Sequence, residues 1–456
     1  MVKRKAVFKR ETDMTQGNIW MLLLRFAAPL LLGYIFQQLY NTVDTYVVGN
    51  FVSTEAYAAV GNVGPIINML IGLFMGLSTG AGVVLSQYYG AGDQENVSRV
   101  VHTLMGMTLI LSVVISVLGV VMVEPMLPLM KIQEQAVHDE AKTYLTIYFA
   151  GSIGLMVYNA GAGVLRAIGD STRPFIFLVA TAVMNTGLDL LLVLVFDMGV
   201  AGVAYATVVS QLVSAVLIVI TLMRAKGSYR FYWSKLHMNL KILKQIIRVG
   251  LPSALQQAVT SFSNVFVQSY INAFGSACMA GWTTYSKLDA FALIPMMSIG
   301  LASTTFVGQN LGAGKVERAK QGVRISLSMA LISTAVLLVP LMVWANQLSV
   351  VFNPDPEVVK YSVLIIRVLS PFYLCCCLNQ IYAGALRGAG ATTVPMIIML
   401  TSFVAFRQVY LAIASAVSDS VIWTIMGYPF GWILASTLCM LYYKFGNWER
   451  RKIVKR

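Results

Sequence analysis

Charge is scarce in this chain. Only 11% of its residues are charged, where a soluble domain carries about a quarter. Apolar residues make up 57% and the mean hydropathy is +0.73. Acidic residues are the scarcest, 19 Asp+Glu against 33 Lys+Arg. Cysteine and histidine are also sparse. Cys278, Cys375, Cys376, Cys377 and Cys439 all fall in apolar stretches without a C-x-x-C pair, and His102, His138 and His237 are scattered. That spacing argues against a disulfide framework and against a zinc site, so no metal is expected. A phosphate loop is missing too. Gly312-Ala313-Gly314-Lys315 is followed by Val316 where Ser or Thr belongs, and position 309 is Gln rather than Gly. No ATP hydrolysis is therefore expected, and the chain does not read as an enzyme.

What is present is long apolar runs. A stretch of about 20 apolar residues spans a bilayer as a helix. Twelve such stretches occur, at 19–48, 55–84, 97–123, 137–163, 173–196, 199–223, 245–273, 277–307, 322–344, 359–384, 394–416 and 419–443. They lack the alternation of a barrel strand, so the expected fold is an all-α integral membrane protein with twelve transmembrane helices. The first run is longer than the apolar region of a signal peptide and carries Pro29, Gln37, Gln38 and Asn41. It reads as a membrane helix rather than a cleavable signal.

The net charge of +14 raises the possibility of a nucleic-acid partner, but its distribution points to the bilayer. With both termini placed in the cytoplasm, the cytoplasmic segments hold 26 of the 33 Lys+Arg, and the opposite side holds Lys131, Lys142 and Lys360. That bias is the positive-inside rule, and it agrees with an even number of spans. The basic tails then serve as membrane-surface anchors. No nucleic-acid partner is expected.

The chain repeats itself. Leu165-Arg166-Ala167-Ile168-Gly169-Asp170-Ser171-Thr172-Arg173-Pro174 is echoed by Leu386-Arg387-Gly388-Ala389-Gly390-Ala391-Thr392-Thr393-Val394-Pro395, 221 residues later. Gln87-Tyr88-Tyr89-Gly90-Ala91-Gly92 recurs as Gln309-Asn310-Leu311-Gly312-Ala313-Gly314, offset 222. Arg25, Pro29 and Asn41 recur as Arg248, Pro252 and Asn264, offset 223. The longest polar stretch lies between the copies. The expected organisation is an N-terminal six-helix lobe (1–224), a cytoplasmic linker (225–244) and a C-terminal six-helix lobe with a basic tail (245–456), related as parallel repeats. Such duplications are usual in transporters, where two lobes rock around a site. The signatures suit tight turns and helix starts. Arg166 and Arg387 therefore read chiefly as structural, with a gating role as the alternative. Pro29 and Pro252 occupy equivalent places and favour kinks, either as fixed curvature or as bending points.

Only Asp44, Asp189 and Asp289 lie well inside the spans among the acidic residues. A charge in hydrocarbon is costly and marks function by default. Gln37, Asn41 and Asp44 share one face of the first span, and Asn185 lies one turn before Asp189 in the fifth. Two carboxylates, each with an amide on its own face, form an oxygen-lined pocket suited to a proton or a sodium ion. The competing reading is a structural hydrogen-bond cluster. Asp289 and Lys287 are two residues apart, do not face each other, and so need other partners. Arg407 suits a membrane carboxylate or an anionic ligand. Tyr40, Met184, Met279, Trp282 and Tyr285 are candidate cavity residues, since Met and aromatic side chains make adaptable surfaces that also attract cations.

The paired Q-x-x-G-A-G and L-R-x-x-G-x-x-T-x-P signatures, together with Gln37-Gln38-Leu39-Tyr40-Asn41-Thr42-Val43-Asp44, resemble the multidrug and toxic compound extrusion (MATE) transporters over nearly the whole chain. The similarity is closest to the bacterial branch with MepA-like exporters. The resemblance implies a cation-coupled antiporter without cofactor, driven by H+ or Na+, that exports small amphipathic, cationic compounds by rocker-switch alternation. It implies a monomer in the bacterial cytoplasmic membrane. The DinF-like branch places a cation site at positions matching Asp44, Asn185, Asp189 and Thr207. The NorM-like branch also uses acidic residues in the second lobe. This chain departs from that pattern, with Asn264, Gln268 and Asn272 in the seventh span and Asn379 and Gln380 in the tenth. The alternative is a lipid-linked precursor flippase of the related superfamily, which calls for a basic central cavity.

Overall fold

A computed structural model describes residues 12–130 and 135–454. A few side chains within that range, those of Asn41 and Asp44 among them, lie outside the described set. The described residues form helices and no strand. The first half holds α1 (Ile19–Phe51), α2 (Thr54–Gly90) and α3 (Gln94–Met126). It continues with α4, which is Gln135–Ala150 and, past a 47° bend, Ser152–Ala167. Then come α5 (Thr172–Leu190, extended by the π-helical turn Leu191–Val195) and α6 (Gly199–Met223). The second half holds α7 (Leu240–Asn272), α8 (Ser276–Gly312) and α9 (Val316–Val343). Next is α10, Pro356–Leu369 followed after one 3-10 turn by Tyr373–Gly388. α11 runs as Thr393–Met399, π-helical Leu400–Phe406 and Arg407–Val417, and α12 as Val421–Ile425 and Gly427–Phe445.

All twelve expected spans are helical. Ten of the described helices are apolar and long enough to cross a bilayer, and the bent pair in α4 makes eleven. α7 is the twelfth. Its 33 residues exceed the length needed, but Gln256, Gln257, Ser263, Asn264 and Gln268 dilute its hydropathy. The outward faces fit lipid. Val113, Val117 and Val121 of α3 recur at i,i+4 and are all exposed, a stripe suited to hydrocarbon.

Local chemistry sets the ends. Ser53 Oγ accepts from the Ala56 N–H at 3.0 Å to start α2, and Asp93 Oδ1 accepts from Asn96 N–H at 3.0 Å to start α3. These side chains satisfy amides that have no partner within the helix. Asp355 does the same for α10 ahead of Pro356, a residue suited to the first helical position.

The chain divides into two compact units. The first is the described part of Met1–Asp13 with Leu32–Arg248, and the second is Met14–Leu31 with Val249–Arg456. The chain therefore changes unit at Asp13–Met14, ahead of α1, and again inside α1 and inside α7, and not in the polar stretch between the halves. Hydrogen bonds give the reason. In unit 2, Met14 N–H donates to Gln309 Oε1 at 3.1 Å, Asn310 Nδ2 to Met14 O at 3.1 Å and Lys315 Nζ to Thr15 O at 2.9 Å. The second copy of the repeated Gln-x-x-Gly-Ala-Gly signature thus holds the segment that leads into α1. In unit 1, the stretch after α6 is held likewise: Tyr232 N–H donates to His102 Nε2 and Asn239 N–H to Thr103 Oγ1, both at 3.1 Å. Tyr88 Oη donates to Gln245 Oε1 at 3.2 Å.

Within each unit a glycine lets two helices touch. A Cβ on Gly163 of α4 would lie 2.6 Å from Ser78 Oγ of α2. A Cβ on Gly384 of α10 would lie 2.7 Å from the Gly300 carbonyl of α8. At the repeat offsets Gly163 and Ser78 are the counterparts of Gly384 and Gly300. In lipid, where burial of apolar surface gives helices little reason to associate, close backbone approach is a principal source of packing energy.

Candidate functional site

Unit 1 holds a half-open cavity of about 100 Å³ in which polar side chains stand among apolar ones. α1 contributes Gln37 and Tyr40, α4 contributes Tyr158, α5 contributes Thr181 and Asn185, and α6 contributes Thr207, Ser210, Gln211 and Ser214. Leu155, Leu178 and Ala182 complete the lining. Helical spacing assembles the polar face. Thr181, Asn185 and Asp189 lie four apart on α5, and Thr207, Gln211 and Ser210, Ser214 lie four apart on α6. The two helices are tied here, since Ser214 Oγ donates to Thr181 Oγ1 at 2.8 Å. Thr181 in turn donates to Phe177 O at 2.8 Å, and Tyr158 Oη donates to Pro174 O at 2.9 Å. Asn185 and Thr207 are buried, and Asp189 is fully buried.

The volume decides what fits. A water needs roughly 10–15 Å³ by this kind of measure, while drug-sized pockets run to about 300–1,000 Å³. A cavity of this size takes an ion with a few waters, or a proton relay, and is smaller than a whole drug-sized pocket. Directly after Asp189 the backbone widens into the π-helical turn Leu191–Val195. Such turns are rare and recur at functional sites.

Of the residues expected to form the cation pocket, Asn185 and Thr207 line the cavity together with Gln37 and Tyr40, and Asp189 follows Asn185 by one turn. Asn41 and Asp44 lie on α1, which is helical there, but their side chains fall outside the described residues. Met184 is half-buried on α5 and is not part of this lining. Tyr158, Thr181, Ser210, Gln211 and Ser214 were not singled out from the sequence, although the i,i+4 pairs of polar residues in apolar spans were the available signal.

Unit 2 places its candidates differently. Asp289 of α8 accepts from Tyr285 Oη at 3.3 Å and from Tyr373 Oη of α10, while the two phenols lie 3.0 Å apart. Trp282 packs against Tyr285 (ring centroids 5.1 Å) and Tyr428 (5.4 Å). Lys287 turns away, its ammonium 5.5 Å from the centre of the Phe352 ring. Met279 is exposed. Arg407 of α11 is buried, donating through Nη2 to Ser263 Oγ at 2.7 Å and Asn264 Oδ1 at 2.9 Å of α7. Pro29 and Pro252 stand inside α1 and α7, and Arg166 and Arg387 at the ends of α4 and α10. Among the described residues no His/Cys/Asp/Glu cluster capable of holding a metal occurs.

Twelve spans in a duplicated arrangement, with an ion-sized cavity bearing buried amide and hydroxyl groups in one copy, define a multi-pass membrane transporter. The model of the MatE family matches residues 29–191 and again 252–413, and the chain belongs to that family. It is 27% identical to "Probable multidrug resistance protein YoeA" of Bacillus subtilis, over 97% of this chain and 96% of that one. It is 26% identical to "FAD transporter" of Shewanella oneidensis, over 94% of this chain and 96% of that one. Among solved structures, that of MATE in complex with MaL6 superposes with a TM-score of 0.89 over 95% of this chain and 97% of that one, at 24% identity.

Proposed function

We propose that the chain is a secondary antiporter that exports small amphipathic, chiefly cationic organic compounds in exchange for H+ or Na+. The observation that carries this is the unit 1 cavity: ion-sized, lined by Asn185 and Thr207, with the buried carboxylate of Asp189 one turn on. Asp44, Asn185, Asp189 and Thr207 are the coupling residues of this reading. A buried carboxylate is relieved by a proton or a cation, so occupation changes the energy of the helices that surround it. Coupling requires only that the ion bind the two states of the transport cycle unequally. Rocker-switch alternation then carries substrate outward. The multidrug resistance name of YoeA supports the substrate class. The setting is the bacterial cytoplasmic membrane, with both termini in the cytoplasm, no ATP, and a monomer as the working unit.

Ethidium efflux from proteoliposomes tests the reading, under an imposed proton gradient and then a sodium gradient. One gradient is expected to drive efflux, and Asp189→Asn and Asp44→Asn to reduce it at least about tenfold, as loss of a coupling interaction of about 1.4 kcal/mol or more would. Undiminished efflux by both variants would remove the carboxylates from the mechanism.

A further inference from the structure

We propose that the guanidinium of Arg407, inside unit 2, is the recognition point for a carboxylate or phosphate group on a transported amphiphile. The inference rests on the transport reading above and adds a charge to its substrate class. Arg407 is only 2% exposed, near the middle of the span Thr393–Val417. Guanidinium stays protonated in proteins and offers five N–H donors in a planar fork. Both of its hydrogen bonds here leave from Nη2, to Ser263 and Asn264. Nε is buried without a partner among the described residues. The Tyr428 ring covers one face at 4.7 Å.

The acidic residues of Val249–Arg456 are Asp289, Glu317, Asp355, Glu357, Asp419 and Glu449. Asp289 is held by Tyr285 and Tyr373, Asp355 caps α10, Glu317, Glu357 and Glu449 pair with lysines, and Asp419 is exposed in the turn between α11 and α12. Among the described residues no ion pair to Arg407 occurs. A buried charge with no opposite charge is disfavoured, and an anion at Arg407 would relieve that cost.

The internal repeat makes the contrast sharper. At the offset of 222, Arg407 stands where Asn185 stands in the first half, and at the offset of 223, Asn264 stands where Asn41 stands. The hydrogen bond between them joins the counterparts of two amide positions of the expected cation pocket. The carboxylate positions Asp189 and Asp44 correspond to Leu411 and Val267, both buried and apolar. Unit 2 has thus lost the acids and gained a fixed cation. The acids of the first half have apolar counterparts, and the cation of the second half stands at an amide position one helical turn before the counterpart of Asp189. The π-helical Leu400–Phe406 ends directly at Arg407, as the π-helical turn of α5 begins just after Asp189.

The test compares two dyes that share one cationic ring system, rhodamine B, which has a free carboxylate, and its ethyl ester, which has none. Affinities are measured by fluorescence anisotropy on the purified protein in an uncharged detergent, without any ion gradient. The wild type is expected to bind the acid about tenfold tighter than the ester, the scale of a charge-assisted fork contact. Arg407→Gln is expected to abolish the preference and Arg407→Lys to keep part of it, since lysine retains the charge without the fork. Equal affinities in the wild type, or binding of neither dye, overturn the proposal. So does a preference that survives in Arg407→Gln. Should that variant fail to fold, the wild-type comparison still decides. Displacement of the acid by phosphatidylglycerol but not by benzoate would assign the anion to membrane lipid and overturn its assignment to substrate. Because the experiment reads equilibrium binding, a failure of gradient-driven ethidium efflux leaves its outcome legible.

Discussion

At the scale of single residues, the repeated signatures are turn chemistry that occurs twice. Gly92 (φ +73°) and its counterpart Gly314 (+77°) are left-handed, as are Gly169 (+89°) and Gly390 (+86°). A side chain at such an angle is strained. Surroundings differ, and that gives a graded prediction. A Cβ on Gly314 would meet nothing within 4 Å, whereas one on Gly169 would run into the backbone carbonyl of Thr12. Gly314→Ala is therefore expected to cost ~1–3 kcal/mol, the strain alone. Gly169→Ala is expected to cost more, since backbone must move as well. Thermal unfolding of the two variants in detergent checks the order, and equal losses would show that the Thr12 contact carries no weight. Asp170 explains where the copies diverge. It is buried, accepts from Thr172 and Arg173 N–H at 3.1 Å each, and pairs with Arg173. The second copy has Ala391 in its place.

At the scale of elements, the spans were legible because a bilayer demands length and apolarity, and both are written in composition. Breaks inside them were not. The expected single run at 137–163 bends by 47° between Ala150 and Ser152, where Gly151 separates two good helices. The π-helical Leu191–Val195 is Leu-Leu-Val-Leu-Val, which as sequence is indistinguishable from ordinary helix. The cavity was half legible. Asn185 stood out because it lies one turn before Asp189, a carboxylate in hydrocarbon that needs a reason, but Thr181 and Ser214 did not. Hydroxyls can bond the carbonyl four residues back, as Thr181 does to Phe177 and Ser214 to Ser210 at 3.1 Å, so they pass as satisfied helix residues. Helix crossings depend on small residues, and here a prediction follows. At Gly384 of α10 the Gly300 carbonyl of α8 leaves no room for a side chain, and Thr304 Oγ1 donates to the Gly384 carbonyl at 3.0 Å. Gly384→Val is expected to force α8 and α10 apart, at a cost of ~1–3 kcal/mol or more for overpacking. Gly163→Val should act alike at the α2–α4 crossing, where the obstacle is the Ser78 side chain. The carbonyl at Gly300 yields less readily than a serine hydroxyl, so Gly384→Val is expected to lower the unfolding temperature further. The reverse order would mean that the crossing in unit 2 relaxes more freely than its contacts indicate.

At the scale of the whole molecule, the chain changes unit at Asp13–Met14, ahead of α1, and then twice inside helices, between Leu31 and Leu32 of α1 and between Arg248 and Val249 of α7. Both passages inside helices lie close to a proline, Pro29 in α1 and Pro252 in α7. Each proline lacks an N–H, so the carbonyl four residues earlier, Arg25 or Arg248, has no helical partner. A helix missing that bond bends there at little cost, and the missing bonds occur at equivalent positions of the repeat. If transport alternates between two arrangements of the units, as we propose, these helices must absorb the change, and a restored bond would resist it. Pro29→Ala and Pro252→Ala each restore one N–H donor, worth about 0.5–1.5 kcal/mol in the straight helix. The expected result is a protein of equal or higher thermal stability, with unchanged equilibrium binding of ethidium and an efflux rate lowered several-fold. The double variant should be slower than either single one. Stopped-flow efflux from proteoliposomes, beside an equilibrium binding titration, separates rate from affinity. Loss of binding in step with rate would assign the prolines to the shape of the resting state, and full-speed transport by the double variant would show that bending at these two points is no part of the cycle.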